Sequence, residues 1–235
     1  MLKKLISELD TLSNKEKAEI HSKFFKTGKG DYGEGSIFLG IPVPILRKVA
    51  KRYQTLSLDN IQKLLDDKIH TYRFVAIIIL VKEYEMGNDE KKKEIYEFYL
   101  KNLSNINNWD LVDVSAPNII GNYLYNQPKI IAKKTLQTLA ISKNLWKRRI
   151  AIVSTFFFIR QNRFEETIEI TKILLKDKHD LIHKACGWML REVGKRNQKV
   201  LESFLDENIK KMPRTMLRYS IEKFEEGKRK AYLKK

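Results

Sequence analysis

The sequence predicts an all-α protein, a HEAT-like helical-repeat solenoid with a concave basic groove, on three observations. Five prolines and ten glycines in 235 residues leave long uninterrupted segments. Within those segments the apolar residues recur at helical spacing and do not alternate as strands would. Four apolar-centred segments also recur along the chain: "YRFVAIIIL" around Ala76, "LVDVSAPNI" around Val114, "RRIAIVSTF" around Ala151 and "HKACGWMLR" around Ala185. Their separations are 38, 37 and 34 residues, and more polar amphipathic stretches lie between them at 58–66, 89–102, 128–138 and 164–175. One outer and one inner helix per 34–38 residues is the pattern of HEAT-like or armadillo-like solenoids, so 1–235 reads as one repeat domain.

Leu2, Leu5, Ile6, Leu9 and Leu12 mark the first amphipathic stripe. Segment 26–44, "KTGKGDYGEGSIFLGIPVP", holds five of the ten glycines and reads as a flexible connector. Its Gly28, Gly30 and Gly33 spell G-x-G-x-x-G, but no strand precedes them, which argues against a dinucleotide loop. Pro44 stands in the first turn of the next helix, a position that tolerates its missing N–H. Ser57, Asp89 and Ser142 are the expected N-caps of the helices that follow them. "FVAIII" and "FFFI" have strand propensity, yet helix formers continue on both sides, so both are expected as buried helices. Pro128 and Pro213 each open a further helix.

Composition narrows the partners. Lys and Arg number 46 against 29 Asp and Glu, a net charge of +17 that favours nucleic acid first and an anionic membrane second. The longest apolar run, 74–81, is far too short to span a bilayer, so no membrane partner is expected. The N-terminus has no secretory pattern and Cys186 stands alone, which together suggest a cytoplasmic protein. Four scattered histidines give no metal site, and no cofactor is expected.

One stretch resists a purely structural reading. In "NINNWDLVDVSAP", 105–117, Trp109 and Asp113 are four residues apart and share a helix face. A core rejects the carboxylate, and a solvated face gains little from the indole. Pro117 follows Asp113 by four residues, so the helix should kink or restart there. Asp110 points away from Asp113, and Arg148 and Arg149 point about 100° apart. Trp109, Asp113, Arg149 and Trp188 all fall on the inner helices of the proposed repeats.

The segments "WDLVD", "LWKRRIAIV" and "KACGWMLREVGK" resemble the AlkD family of DNA alkylation repair enzymes, and "FLGIPVPILRKVAKRY" resembles its N-terminal part. The resemblance runs through most of the chain. It implies a monomeric glycosylase acting on double-stranded DNA, releasing cationic alkylpurines such as 3-methyladenine and 7-methylguanine. It implies Asp113 as catalytic carboxylate, Trp109 and Trp188 as lesion-flanking indoles, and Arg149 as the arginine that holds a phosphate. Arg148, Lys184 and Arg191 are expected among the DNA contacts. Phe25 stands nearest to a family tyrosine and lacks its hydroxyl. The family contacts deoxyribose and backbone without enclosing the base.

The chemistry accounts for Asp113. Glycosidic cleavage develops positive charge on the sugar, which a neighbouring carboxylate stabilises. A cationic purine leaves neutral, so no general acid is required. Two other functions remain open at this stage, a non-catalytic nucleic-acid-binding repeat protein and a protein-interaction scaffold.

Overall fold

The computed structural model describes residues 1–234. Among them the chain is all-α, with an isolated parallel bridge between Ile37 and Ile69 as its one extended pairing. It divides into two compact units, Met1–Ser115 and the residues from Ala116 onward. The first holds α1 (Leu2–Thr11), α2 (Lys15–Phe24), α3 (Val43–Arg52), α4 (Leu58–Leu65), α5 (His70–Met86), α6 (Asp89–Lys101) and α7 (Trp109–Ser115). The second opens with a π-helical turn, Pro117–Gly121, followed by α8 (Asn122–Tyr125), α9 (Lys129–Ala140), α10 (Leu145–Arg160) and α11 (Glu165–Leu174). It ends with α12 (Asp180–Arg196), α13 (Gln198–Asn208), α14 (Arg214–Ser220) and α15 (Glu226–Lys234).

The sequence repeat maps onto these helices. The apolar-centred segments are α5, α7 with the π turn, α10 and α12, and the amphipathic stretches between them are α4, α6, α9 and α11. In the first unit α5 packs against α3, α4, α6 and α7. Covered on so many sides, it buries every residue from His70 to Val81 and shows no polar stripe there. "FVAIII" is therefore helical because tertiary burial outweighs strand propensity. In the second unit α10 packs against α9, α11, α12 and the π turn, and α12 packs against α11, α13 and α14. Inner helix contacts inner helix and α9 contacts α11, the layering expected of helical repeats.

Local chemistry corrects three expectations. Asn88, not Asp89, caps α6 by accepting from the Lys91 amide, and Asn144, not Ser142, caps α10 by accepting from the Trp146 and Lys147 amides. In both cases a neighbouring Asn competes successfully for the cap. Ser57 does occupy the cap position of α4, but its hydroxyl accepts from the Asn60 side chain instead of a backbone amide.

The glycine-rich segment is tied down more firmly than a flexible connector. The Asn14 amide donates to the Leu39 carbonyl at 2.8 Å, the His70 amide to Ile37 at 2.8 Å, and the Leu39 amide to the Thr71 hydroxyl at 3.0 Å. Gly40 has φ +71 and lies so close to the Asn14 carbonyl that a Cβ there would collide with it. Only glycine meets both conditions. These bonds seat Phe38 beside the N-terminus of α5.

Candidate active site

Helix α7 positions the Trp109–Asp113 pair. Asn108 begins it, with its side-chain oxygen 2.7 Å from the Trp109 amide and its carbonyl accepting from Val112. Asp110 lies in the first turn, where a carboxylate complements the helix dipole. The helix ends at Ser115, whose hydroxyl bonds both the Leu111 carbonyl and the buried Tyr99 hydroxyl, 2.8 Å away. Burial raises the pKa of that Tyr99 hydroxyl far above its ordinary value. Pro117 has no N–H to donate to the carbonyl of Asp113. The backbone then takes a wider π turn, in which the Gly121 amide reaches Ala116 at 2.8 Å.

Trp109 and Asp113 both border a cavity of about 390 Å³ within the first unit. Its walls include Phe24, Phe25, Phe38, Phe74 and Ile41, with His21, His70 and Asp110 as further polar lining and Arg47 as its one full cation. Rings from four parts of the chain form a column beside it. Phe25, at the end of α2, stacks on Trp109 (4.9 Å, 16°) and on Phe38 (4.7 Å, 18°). Phe38 stacks in turn on His70 (4.4 Å, 27°), which lies near-parallel to Phe74. Phe24 meets Trp109 edge-on at 5.7 Å. Parallel and T-shaped pairs of this kind each add about 0.5–1.5 kcal/mol beyond burial.

Asp110, expected to point away from Asp113, borders the same cavity and turns to His70. Its Oδ1 lies 3.0 Å from Nε2 of His70, a side chain only 2% exposed. A buried imidazole heading the most apolar helix needs such a partner, because its polar edge is otherwise uncompensated. His21 has its pKa lowered by burial first and then by the nearby His70, against an opposing pull from Asp110. The His70–Asp110 pair and Phe38 escaped the sequence reading. A titratable residue at the head of an apolar helix signals a partner, but nothing in the chain says it lies 40 residues away.

In the second unit Trp188 is half-buried and contacts Phe156 at 5.6 Å, and the Arg160 guanidinium lies 4.3 Å over that same ring. Arg149 is only 5% exposed and donates to the Leu181 carbonyl at 2.6 Å. Arg148 pairs with Asp177 at 2.5 Å and donates to the Ser142 and Lys143 carbonyls, so it braces the loop before α10. Lys184 pairs with Asp180 at 2.6 Å and stays partly exposed, while Arg191 pairs with Glu222. Of the expected DNA-binding cations in this unit, Lys184 is thus the most accessible, whereas Arg148 has conspicuous intramolecular duties.

Among the described residues no group of three or more His, Cys, Asp or Glu side chains is placed to hold a metal ion, and no helix is long and apolar enough to cross a membrane. No curated protein matches the chain. Solved structures of similar fold include a protein from Enterococcus faecalis described as a predicted DNA alkylation repair enzyme. It is 18% identical, with a TM-score of 0.67 over 91% of this chain and 97% of its own. AlkD2 from Streptococcus mutans is 19% identical, with a TM-score of 0.53 over 96% of this chain and 100% of its own. A family model described as DNA alkylation repair enzyme matches residues 5–224. With nearly the whole sequence matched, the chain belongs to the DNA alkylation repair enzyme family.

Proposed function

We propose that the protein is a DNA glycosylase that hydrolyses the N-glycosidic bond of cationic alkylated purines, 3-methyladenine and 7-methylguanine, in duplex DNA during base excision repair. The observation that carries this reading is the placement of Asp113 and Trp109 on one short helix, bordering one aromatic-walled cavity in a chain of net charge +17. Such a chain is drawn to phosphate, and a carboxylate at the contact surface weakens that attraction unless chemistry uses it.

In the reaction the C1′–N bond breaks and its electron pair leaves with the purine, which departs neutral because it began as a cation. The sugar becomes oxocarbenium-like, and Asp113 stabilises that charge and orients water toward C1′. Water adds its oxygen to C1′ and gives up a proton to the carboxylate or to solvent. Trp109 presents an electron-rich surface to the cationic nucleotide. Phe25 stacks on the indole and holds its plane. From the second unit, Trp188, Arg149, Lys184 and Arg191 are assigned to contact with DNA, while Arg148 braces the loop before α10.

Single-turnover base release from methylated duplex tests the assignment. Asp113→Asn should fold and bind DNA as the wild type does, while excision falls by roughly 10²–10³, the usual cost of removing one such electrostatic group. Unchanged excision would remove Asp113 from the mechanism.

A further inference from the structure

Two arginines of the second unit, Arg160 and Arg196, stand outside the set expected from the sequence. Phe156 and Arg160 share a face of α10, and Trp188, Glu192 and Arg196 share one of α12, each four residues from the next. The two helices pack together, and Phe156 meets Trp188 at 5.6 Å. Arg160 is exposed, and its guanidinium lies 4.3 Å over the Phe156 ring. That contact occupies one face of the guanidinium and leaves its N–H edges in plane. Nη1 donates to Asn118 Oδ1 over 3.5 Å, and the Nε–Nη2 edge has no partner among the described residues. Through such an edge arginine grips two oxygens of one phosphate.

The charges around this edge do not balance. Glu192 attracts Arg160, but it is already shared by Lys195 at 2.8 Å, Arg191 at 3.5 Å and Arg196 at 3.9 Å. Arg196 stands near enough to lower the pKa of Arg160, an effect second only to burial. Two guanidiniums that share one crowded carboxylate repel each other, and an anion between them relieves the repulsion. Complementing the helix dipole accounts for each arginine at its own helix end, but not for their approach.

We infer that Arg160 and Arg196 form a clamp for one backbone phosphate of duplex DNA, close to the nucleotide that Trp188 flanks. This rests on the glycosylase reading for its substrate and adds two residues to the contacts assigned there. It suits an enzyme that holds backbone and leaves the base outside. From the Trp188 ring through Phe156 to Arg160 is no more than about 10 Å. That distance is about three duplex steps of 3.4 Å.

The test uses the full chain and a duplex carrying a stable tetrahydrofuran abasic site. Single phosphates around the site are replaced, one at a time, by neutral methylphosphonates. Arg160→Gln and Arg196→Gln should each weaken binding of the unreplaced duplex about tenfold and flatten its log–log salt dependence by about 0.9. At one phosphate, within about three steps of the site, replacement should weaken the wild type equally and cost neither variant anything further. Arg160→Lys keeps the charge at the end of α10 without the fork, so it should restore the slope but only part of the affinity. Unchanged slopes in both Gln variants, losses that add at every phosphate, or full affinity in Arg160→Lys would each overturn the clamp. Base release from methylated duplex is measured in parallel. Coupling at one phosphate without release defeats the glycosylase reading alone, and release without such coupling defeats the clamp alone.

Discussion

Phe25 lies flat against Trp109, with ring centroids 4.9 Å apart and planes within 16°. The two residues are far apart in sequence and belong to the end of α2 and the start of α7. Phe25 is also stacked on Phe38, so it is the middle plate of three and bears on both neighbours.

Phe25→Ala removes that plate. The variant should lose about 3 kcal/mol of stability, the lower end for a large ring in a packed setting. Trp109 should become mobile, and lesion excision should fall while affinity for undamaged duplex is retained. Phe25→Tyr keeps the stack and should match the wild type in thermal unfolding. A Phe25→Ala protein of wild-type stability would mean that the stack is incidental.

The cations of the second unit separate into structural and accessible ones. Arg148→Ala leaves Asp177, whose side chain is 6% exposed, without its partner and should cost about 3 kcal/mol in denaturant unfolding. Lys184→Ala should leave stability nearly unchanged but flatten the log–log salt dependence of DNA binding by about 0.9. The reverse pattern, a stable Arg148→Ala with a flattened slope, would make Arg148 the phosphate contact.

Lesion charge should govern activity. Neutral hypoxanthine and uracil must be protonated to leave, and a second acid is needed for that. Glu192, the nearest candidate to Trp188 in sequence, is only 8% exposed and is surrounded by Lys195 at 2.8 Å, Arg191 at 3.5 Å and Arg196 at 3.9 Å. Its oxygens are already engaged by three cations of the second unit. A panel of single-lesion duplexes under single-turnover conditions should show release of 7-methylguanine and 3-methyladenine and none of the neutral bases. Comparable release of hypoxanthine would require an acid elsewhere.

Stability should decline on mild acidification. Burial, the largest cause in both, holds the pKa of His21 and His179 below the ordinary 6.5. The unfolded chain therefore binds more protons just below pH 6.5, and the contribution of these residues is present above that value and lost as pH falls through the folded pKa. Nδ1 of His179 accepts from the Leu181 amide at 3.2 Å as the cap of α12, a bond that protonation there abolishes. His179→Asn keeps a cap acceptor that does not titrate. Its melting temperature should fall less than that of the wild type between about pH 7 and 5.5, and identical slopes would exclude His179 as a contributor.

Periodicity alone specified the helices, because a 3.6-residue repeat of apolar side chains is a local property of the chain. Trp109 and Asp113 were legible as one face for the same reason: four residues along a helix return to the same side. Cap identity was less legible, since Asn88 and Asn144 compete with other good cap formers one or two positions away, and the backbone path decides which one accepts. Contacts between distant residues were beyond such reading. Phe25 on Trp109, His70 on Asp110 and Leu39 on Thr71 join elements whose separation along the chain carries no record of their meeting. The aromatic cavity exists only once α2, the glycine-rich segment, α5 and α7 have packed. Its shape follows from burial and steric fit among many side chains at once, which no local periodicity encodes.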